Sequence, residues 1–237
     1  MTTQRGFTLI ELAIVLVIVT ILIGGLAVPL SAQIQARRIA ETQKTLEEAR
    51  EAILGFAMTT PATTPTKRRL PCPDTDGNGT QNLDGSGNCV ASNGLLPWVD
   101  LGTAAQDAWG NRLRYAVTSP LADSSPGFPT SPAPAQPLVI CNSHTCSPVS
   151  PDVANNIAFV LVSLGPNGWG ALNINGTTLA TPTSADEQDN LDSNRVYINR
   201  APTKPGAASG EFDDLLKWVS YTQLIARVCP TGSDCAP

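Results

Sequence analysis

The chain has 237 residues, 42% apolar, 15% charged and 5% aromatic, with 19 Gly, 20 Pro, 6 Cys and one histidine. That length holds one or two domains, and the five acidic and five basic residues before Ala62 leave the whole net charge of −5 to residues 62–237. The only basic cluster, Lys67-Arg68-Arg69, is too short for a nucleic-acid footprint, and the lone His144 excludes multi-histidine metal sites and leaves little for acid–base catalysis.

From Leu12 to Leu30 the sequence reads LAIVLVIVTILIGGLAVPL, with Thr20 its only polar side chain. About 20 apolar residues cross a bilayer as a helix, so a membrane-spanning helix is expected. A secretory signal is shorter and ends in a small-residue cleavage site, which Leu30-Ser31-Ala32 does not supply. Glu11 sits one turn inside the apolar helix, where an acid at the bilayer centre costs on the order of 2.5–3.5 kcal/mol. It either reaches water near the interface or pairs with a positive charge on another chain. A cut between Gly6 and Phe7 would create such a charge, the Phe7 amine, which a neighbour's Glu11 could meet head-on.

The run Gly6-Phe7-Thr8-Leu9-Ile10-Glu11-Leu12 and the apolar helix after it resemble the class III signal of type IV pilins and pseudopilins. The resemblance implies cleavage after Gly6 by a prepilin peptidase, N-methylation of Phe7 and storage in the inner membrane before assembly. It also makes Glu11 the residue that pairs with a neighbouring subunit's terminal amine, and Pro29 the residue that bends or unwinds the stem. A proline there removes a backbone hydrogen bond in any case. Arg37, Arg38, Lys44 and Arg50 follow the span while Arg5 alone precedes it, which by charge count favours a cytoplasmic C-terminal side. Interleaved Glu41, Glu47, Glu48 and Glu51, and cysteines that need an oxidising compartment, argue instead for a periplasmic head.

These features divide the chain into a leader (1–6), a membrane or filament-core helix (7–30), an amphipathic stem (31–58) and a head (59–237). In the stem, Ile39, Leu46 and Ile53 recur seven apart with Thr42, Ala49 and Phe56 three residues behind, a narrow stripe that predicts one packed face. The connector TTPATTPTKRR ends the helix. Strands are expected at Leu113–Val117, Leu138–Cys141, Ile157–Val162, Arg195–Ile198 and Leu215–Val219. Residues 120–137, with six prolines, read as an exposed loop. Ser220 and Gln223 predict a capping box opening a short helix that carries Leu224, Ile225 and Val228. The order is α+β: a long N-terminal helix, its first half membrane-spanning, packed against a small antiparallel sheet.

Six cysteines allow 15 pairings. The sequence-local pairs Cys72–Cys89, Cys141–Cys146 and Cys229–Cys235 each close a short loop and are the expected ones. A zinc site on Cys141, His144 and Cys146 is the alternative. Asp107-Ala108-Trp109-Gly110-Asn111 with Tyr115, and Ser163-Leu164-Gly165-Pro166-Asn167-Gly168, are similar to segments of the major pseudopilin of type II secretion. Ala108 stands where that family has proline and Asn167 where it has aspartate. The larger, cysteine-rich head fits a minor pilin-like relative better.

Two segments carry the oxygen ligands that calcium favours. Asp74, Asp76 and Asn78 open like a calcium loop, with Gly85 at the closing position and Asp84 beside it as substitute; a Gly/Asn/Asp turn inside the Cys72–Cys89 loop is the equal alternative. Asp186, Glu187, Asp189 and Asp192, with Glu211, Asp213 and Asp214 beyond, form the second. By resemblance to the pseudopilin C-terminal loop, calcium there would clamp the end of the sheet. Either ion would be structural; no cofactor is required. The chain lacks a nucleophile elbow, a zincin motif and a phosphate-binding loop, so no enzyme activity is expected. Trp98, Trp109, Trp169 and Trp218 read as core and turn anchors rather than a sugar-binding surface.

The expected protein is a type IV pilin-like subunit that assembles into, or decorates, a pilus-type filament. Its expected partners are identical or related pilin subunits, the prepilin peptidase and N-methyltransferase, the pilus or secretion assembly platform and the inner membrane. A type II secretion pseudopilin is the runner-up. A membrane-anchored periplasmic binding protein is the alternative from another class.

Overall fold

The computed structural model describes residues 6, 8–63, 67–129, 134–192, 194–232 and 235; the side chains of 24–29 also lie outside the description. Helix α1 runs Leu9–Thr59. Its one polar residue in the apolar stretch, Thr20, is satisfied locally, its hydroxyl donating to the Leu16 and Val17 carbonyls at 2.9 and 2.8 Å. Two compact units divide at Ala40 and Glu41. In the first, every described side chain from Thr8 to Ile23 is exposed. Among the described residues no helix is long and apolar enough to cross a membrane; the described side chains of this apolar run stop at Ile23 and resume at Leu30.

The second unit holds the stem and head. Of the predicted stripe, Thr42, Leu46, Ala49 and Ile53 are buried, with Leu54 and Ala57 beside them at 3% and 0% exposure, at the three- and four-residue intervals that share a helix face; Ile39 and Phe56 are only half-buried. After α1 come β1 (Asn93–Leu95), α2 (Trp98–Leu101), β2 (Arg114–Val117), β3 (Leu138–Cys141), β4 (Ala154–Ser163), α3 (Ala185–Asp189), β5 (Val196–Ile198), β6 (Leu215–Ser220) and α4 (Tyr221–Val228). The long strand β4 is central. Its C-terminal half pairs with β2 and its N-terminal half with β3 along one edge, while β6 pairs along the other from Ile157 to Ser163. Apolar clusters lie on both faces of the sheet. Phe159 and Leu161 join the stem residues and Val219, whereas Val160 and Val162 join Leu164, Ala171 and Tyr197. Burial on both faces is why the strand reads as a near-continuous apolar run.

Two expectations are corrected. The sheet is mixed, because β5 pairs parallel to β3, Val139 opposite Val196. The chain leaves β4 at Ser163, passes through α3 and re-enters at the outer edge of β3, running parallel to β3 and opposite to β4, a placement that a hairpin reading of neighbouring strands does not anticipate. Residues 120–137 are not simply an exposed loop: Leu121, Ala122 and Phe128 are fully buried, and Arg68 exchanges backbone hydrogen bonds with Phe128 at 2.7 and 2.8 Å. The capping box of α4 forms as read, Ser220 and Gln223 bonding reciprocally.

Cys72–Cys89, Cys141–Cys146 and Cys229–Cys235 are bonded. This overturns the zinc alternative, since a disulfide sulfur is no thiolate ligand.

Candidate functional site

The N-terminal segment begins with Gly6 exposed; Phe7 lies outside the described residues, as does the side chain of Pro29. The Thr8 amide and hydroxyl both donate to Glu11 Oε2 at 2.8 Å, and the Glu11 amide donates to Thr8 Oγ1 at 3.4 Å. This reciprocal pair is a capping box, satisfying amides that the first helical turn leaves without partners. The sequence reading assigned Thr8 no role, although its Thr-x-x-Glu spacing is the signal for one. Around Glu11 the helix presents Leu9, Ile10, Leu12, Ile14 and Val15 uncovered. Such a surface needs lipid or another chain against it.

The Asp74 segment is a turn held from within. Asp74 is fully buried, one carboxylate oxygen accepting from the Asp76 and Gly77 amides at 3.1 and 2.8 Å and the other from Gly79 at 2.8 Å. Asp76 accepts from the Asn78 amide and from the Asn78 and Asn82 side chains. Asp84 serves a separate turn, accepting from Ser86 and Asn88 at 2.8 and 2.9 Å.

In the second acidic segment the structure brings together three of the seven acids named in sequence, Glu187, Asp213 and Asp214, and turns Asp186, Asp189 and Asp192 to other partners. Asp186 is committed elsewhere: one oxygen accepts from the His144 amide and ring at 2.8 Å each, the other from Arg200 Nε at 2.6 Å. Burial alone would push this carboxyl up, but the His144 and Arg200 donors outweigh it and hold it below the ordinary carboxylate value. Asp189 and Asp192 both turn to Asn194. The carboxylates that converge are Glu187, Asp213 and Asp214, whose ligand oxygens lie within 4.8 Å of one another.

Three elements build this cluster. Glu187 comes from α3, Asp213 and Asp214 immediately precede β6, and the Ser163–Gly168 turn wraps over them. Asn167 donates its amide to Asp213 Oδ2 at 3.1 Å and its side chain to Glu187 Oε1 at 3.0 Å. The Asp213 amide also donates to Glu187 Oε1, at 3.2 Å. Asn190 donates to Asp214 at 2.8 Å. Asp213 Oδ1 is buried with no hydrogen-bond partner. Glu187 and Asp214 are 2% and 5% exposed. Burial, then the neighbouring Glu187 and Glu211, raise Asp213 to about 7; burial pushes Asp214 well above the ordinary carboxylate value and Glu187 up as well. Three close carboxylates in a desolvated place cannot all stay ionised without a cation; in its absence they take up protons.

The other motif segment is structural. Asp107, buried, accepts from the Trp109 and Asn111 amides at 2.9 and 3.0 Å and from the Ser163 hydroxyl at 2.7 Å. The Ala108 amide donates to Thr42 Oγ1 of α1 at 3.1 Å. Proline at 108 has no such donor, so the departure from the pseudopilin pattern carries a contact of its own. Arg69 stacks over Phe56 and Arg112 over Trp98, so Arg69 of the basic cluster and this tryptophan serve packing.

Residues 1–27 match the family model described as the prokaryotic N-terminal methylation motif, the class III prepilin signal of type IV pilins and pseudopilins. The motif supports a type IV pilin-like or pseudopilin protein processed by prepilin peptidase and assembling with pilin-type subunits. No curated protein and no solved structure matches the chain.

Proposed function

We propose that the chain is a non-enzymatic type IV pilin-like subunit, cut after Gly6, methylated on Phe7 and held in the inner membrane by residues 7–30 with its head in the periplasm. It then polymerises into, or decorates, a pilus-type filament. The observation that carries this reading is a single acid, Glu11, one turn inside an uncovered apolar helix that bears the methylation motif. In an apolar surround its carboxylate needs a cation, and a neighbour's Phe7 amine supplies one where the leader has been removed. Glu11→Leu is expected to abolish incorporation into filaments, read by shearing and immunoblot, while leaving the subunit in the membrane. A merely anchored binding protein would show no change in either fraction.

The second reading, a type II secretion pseudopilin, is favoured by the Ser163–Gly168 turn closing over Glu187, Asp213 and Asp214. These residues fit a structural calcium: the donors are hard oxygens, and the buried Asp213 Oδ1 has no protein partner. Calcium there would supply positive charge to the three carboxylates. The chain's own part is to bring α3 and the start of β6 together under Asn167.

A further inference from the structure

Four Asn-Gly pairs occur in the chain: Asn78-Gly79, Asn93-Gly94, Asn167-Gly168 and Asn175-Gly176. Glycine after asparagine leaves the following backbone nitrogen unobstructed by a Cβ, so it can attack the asparagine side chain. The structure treats the four differently. Asn78 donates to Asp76 at 3.0 Å, its carbonyl accepts from the Thr80 amide at 2.7 Å, and the Gly79 amide is held by buried Asp74 at 2.8 Å. Asn167 donates to Glu187 at 3.0 Å, its carbonyl accepts from the Trp169 amide at 3.0 Å, and the Gly168 amide donates to the Leu164 carbonyl at 3.0 Å. Asn93 donates to the Asp192 carbonyl at 3.2 Å, and Gly94 is paired with Tyr115 in the sheet.

Asn175 stands apart. It is exposed at the tip of a hairpin closed by the Asn173 amide donating to the Thr177 carbonyl at 2.8 Å. Among the described residues its side chain has no partner. The Gly176 amide makes only the turn bond to the Asn173 carbonyl, at 2.9 Å on an exposed tip, and a Cβ on Gly176 would meet nothing within 4 Å.

We infer that Asn175 is a site of spontaneous deamidation in the folded head. The Gly176 nitrogen bonds to Asn175 Cγ, the Cγ–Nδ2 bond breaks, and the amide leaves as ammonia with the proton from Gly176, forming a succinimide. Water opens the ring at either carbonyl to give aspartate or isoaspartate, so the net reaction consumes one water and releases one ammonia. Either product adds a negative charge. Isoaspartate also lengthens the main chain inside the hairpin, beside the Ile174 amide's 3.0 Å bond to the Gly110 carbonyl. The inference is independent of the assembly reading.

The test is peptide mapping by mass spectrometry of the full chain in detergent, incubated at mildly alkaline pH over days. Amide-to-acid conversion with aspartate and isoaspartate products is expected to be greater at 175 than at 78, 93 and 167 combined, and to be lost in Asn175→Gln. In urea the four sites are expected to convert at comparable rates, because sequence then acts alone. No conversion at 175 in the folded protein, equal conversion at the other three, or the same selectivity in urea would overturn the inference.

Discussion

At the scale of single residues, Asp213 carries the sharpest electrostatic conflict in the head. Its carboxyl is raised to about 7 from 3.8, chiefly by burial. Between those values the folded protein retains a proton that the unfolded chain has released, so stability falls as pH rises through that window. Asp186 works the other way, losing its contribution as pH falls below the ordinary carboxylate range, and the two windows do not overlap. In chelator, the melting temperature is therefore expected to drop between about pH 4 and about pH 7. Added calcium is expected to remove the drop by replacing the proton. Calcium-independent melting across that range would contradict the cation site. Gly165 supports the same cluster: its φ is +61°, and a Cβ there would collide with Asp213 Oδ1 and its carbonyl. Gly165→Ala is expected to cost about 2 kcal/mol or more in a urea melt, since left-handed strain alone is of order 1–3 kcal/mol.

At the scale of elements, the stem of α1 is fixed to the head by a face of which Leu46, Ala49 and Ile53 were legible from their spacing, while Leu54 and Ala57 were not. Thr42 is the one polar member of that stripe. Its hydroxyl accepts from the Ala108 amide, a contact that pairs two residues far apart in sequence and leaves no periodic trace. Thr42→Val is expected to cost about 1–2 kcal/mol by stranding that half-buried donor. In an Ala108→Pro background, where the donor is gone, the same change is expected to cost far less; equal costs in both backgrounds would refute the contact. Strands β2 to β6 were readable because each is an apolar run bounded by Gly, Pro or Asn. Strand β1 was not: Asn93-Gly94-Leu95 has low strand propensity and exists because Gly94 lets the Asp74 main chain approach closely. The parallel placement of β5 was equally hidden, since local pattern contains no information about which edge a returning strand reaches.

At the scale of the whole molecule, the N-terminal signal was legible because its chemistry is local: glycine, phenylalanine and glutamate at fixed spacing before an apolar run. The carboxylate cluster was only half legible. Acidity marked the segment around 186–192 and the pair at 213–214, but which carboxylates converge depends on how α3 packs against the start of β6. Asp186, the first acid of that segment, is taken by Arg200 and His144, the only histidine in the chain. The disulfides close sequence-local loops, so their pairing needed little tertiary knowledge.

The central claim is that this is a processed, polymerising subunit rather than a protein that merely begins with an apolar helix. The most direct measurement is the intact mass and N-terminal sequence of the chain from membranes of cells with and without a prepilin peptidase. The account predicts a chain starting at N-methylated Phe7 only where the peptidase is present. A chain that retains Met1 in both, or that starts at Gln33, would contradict it.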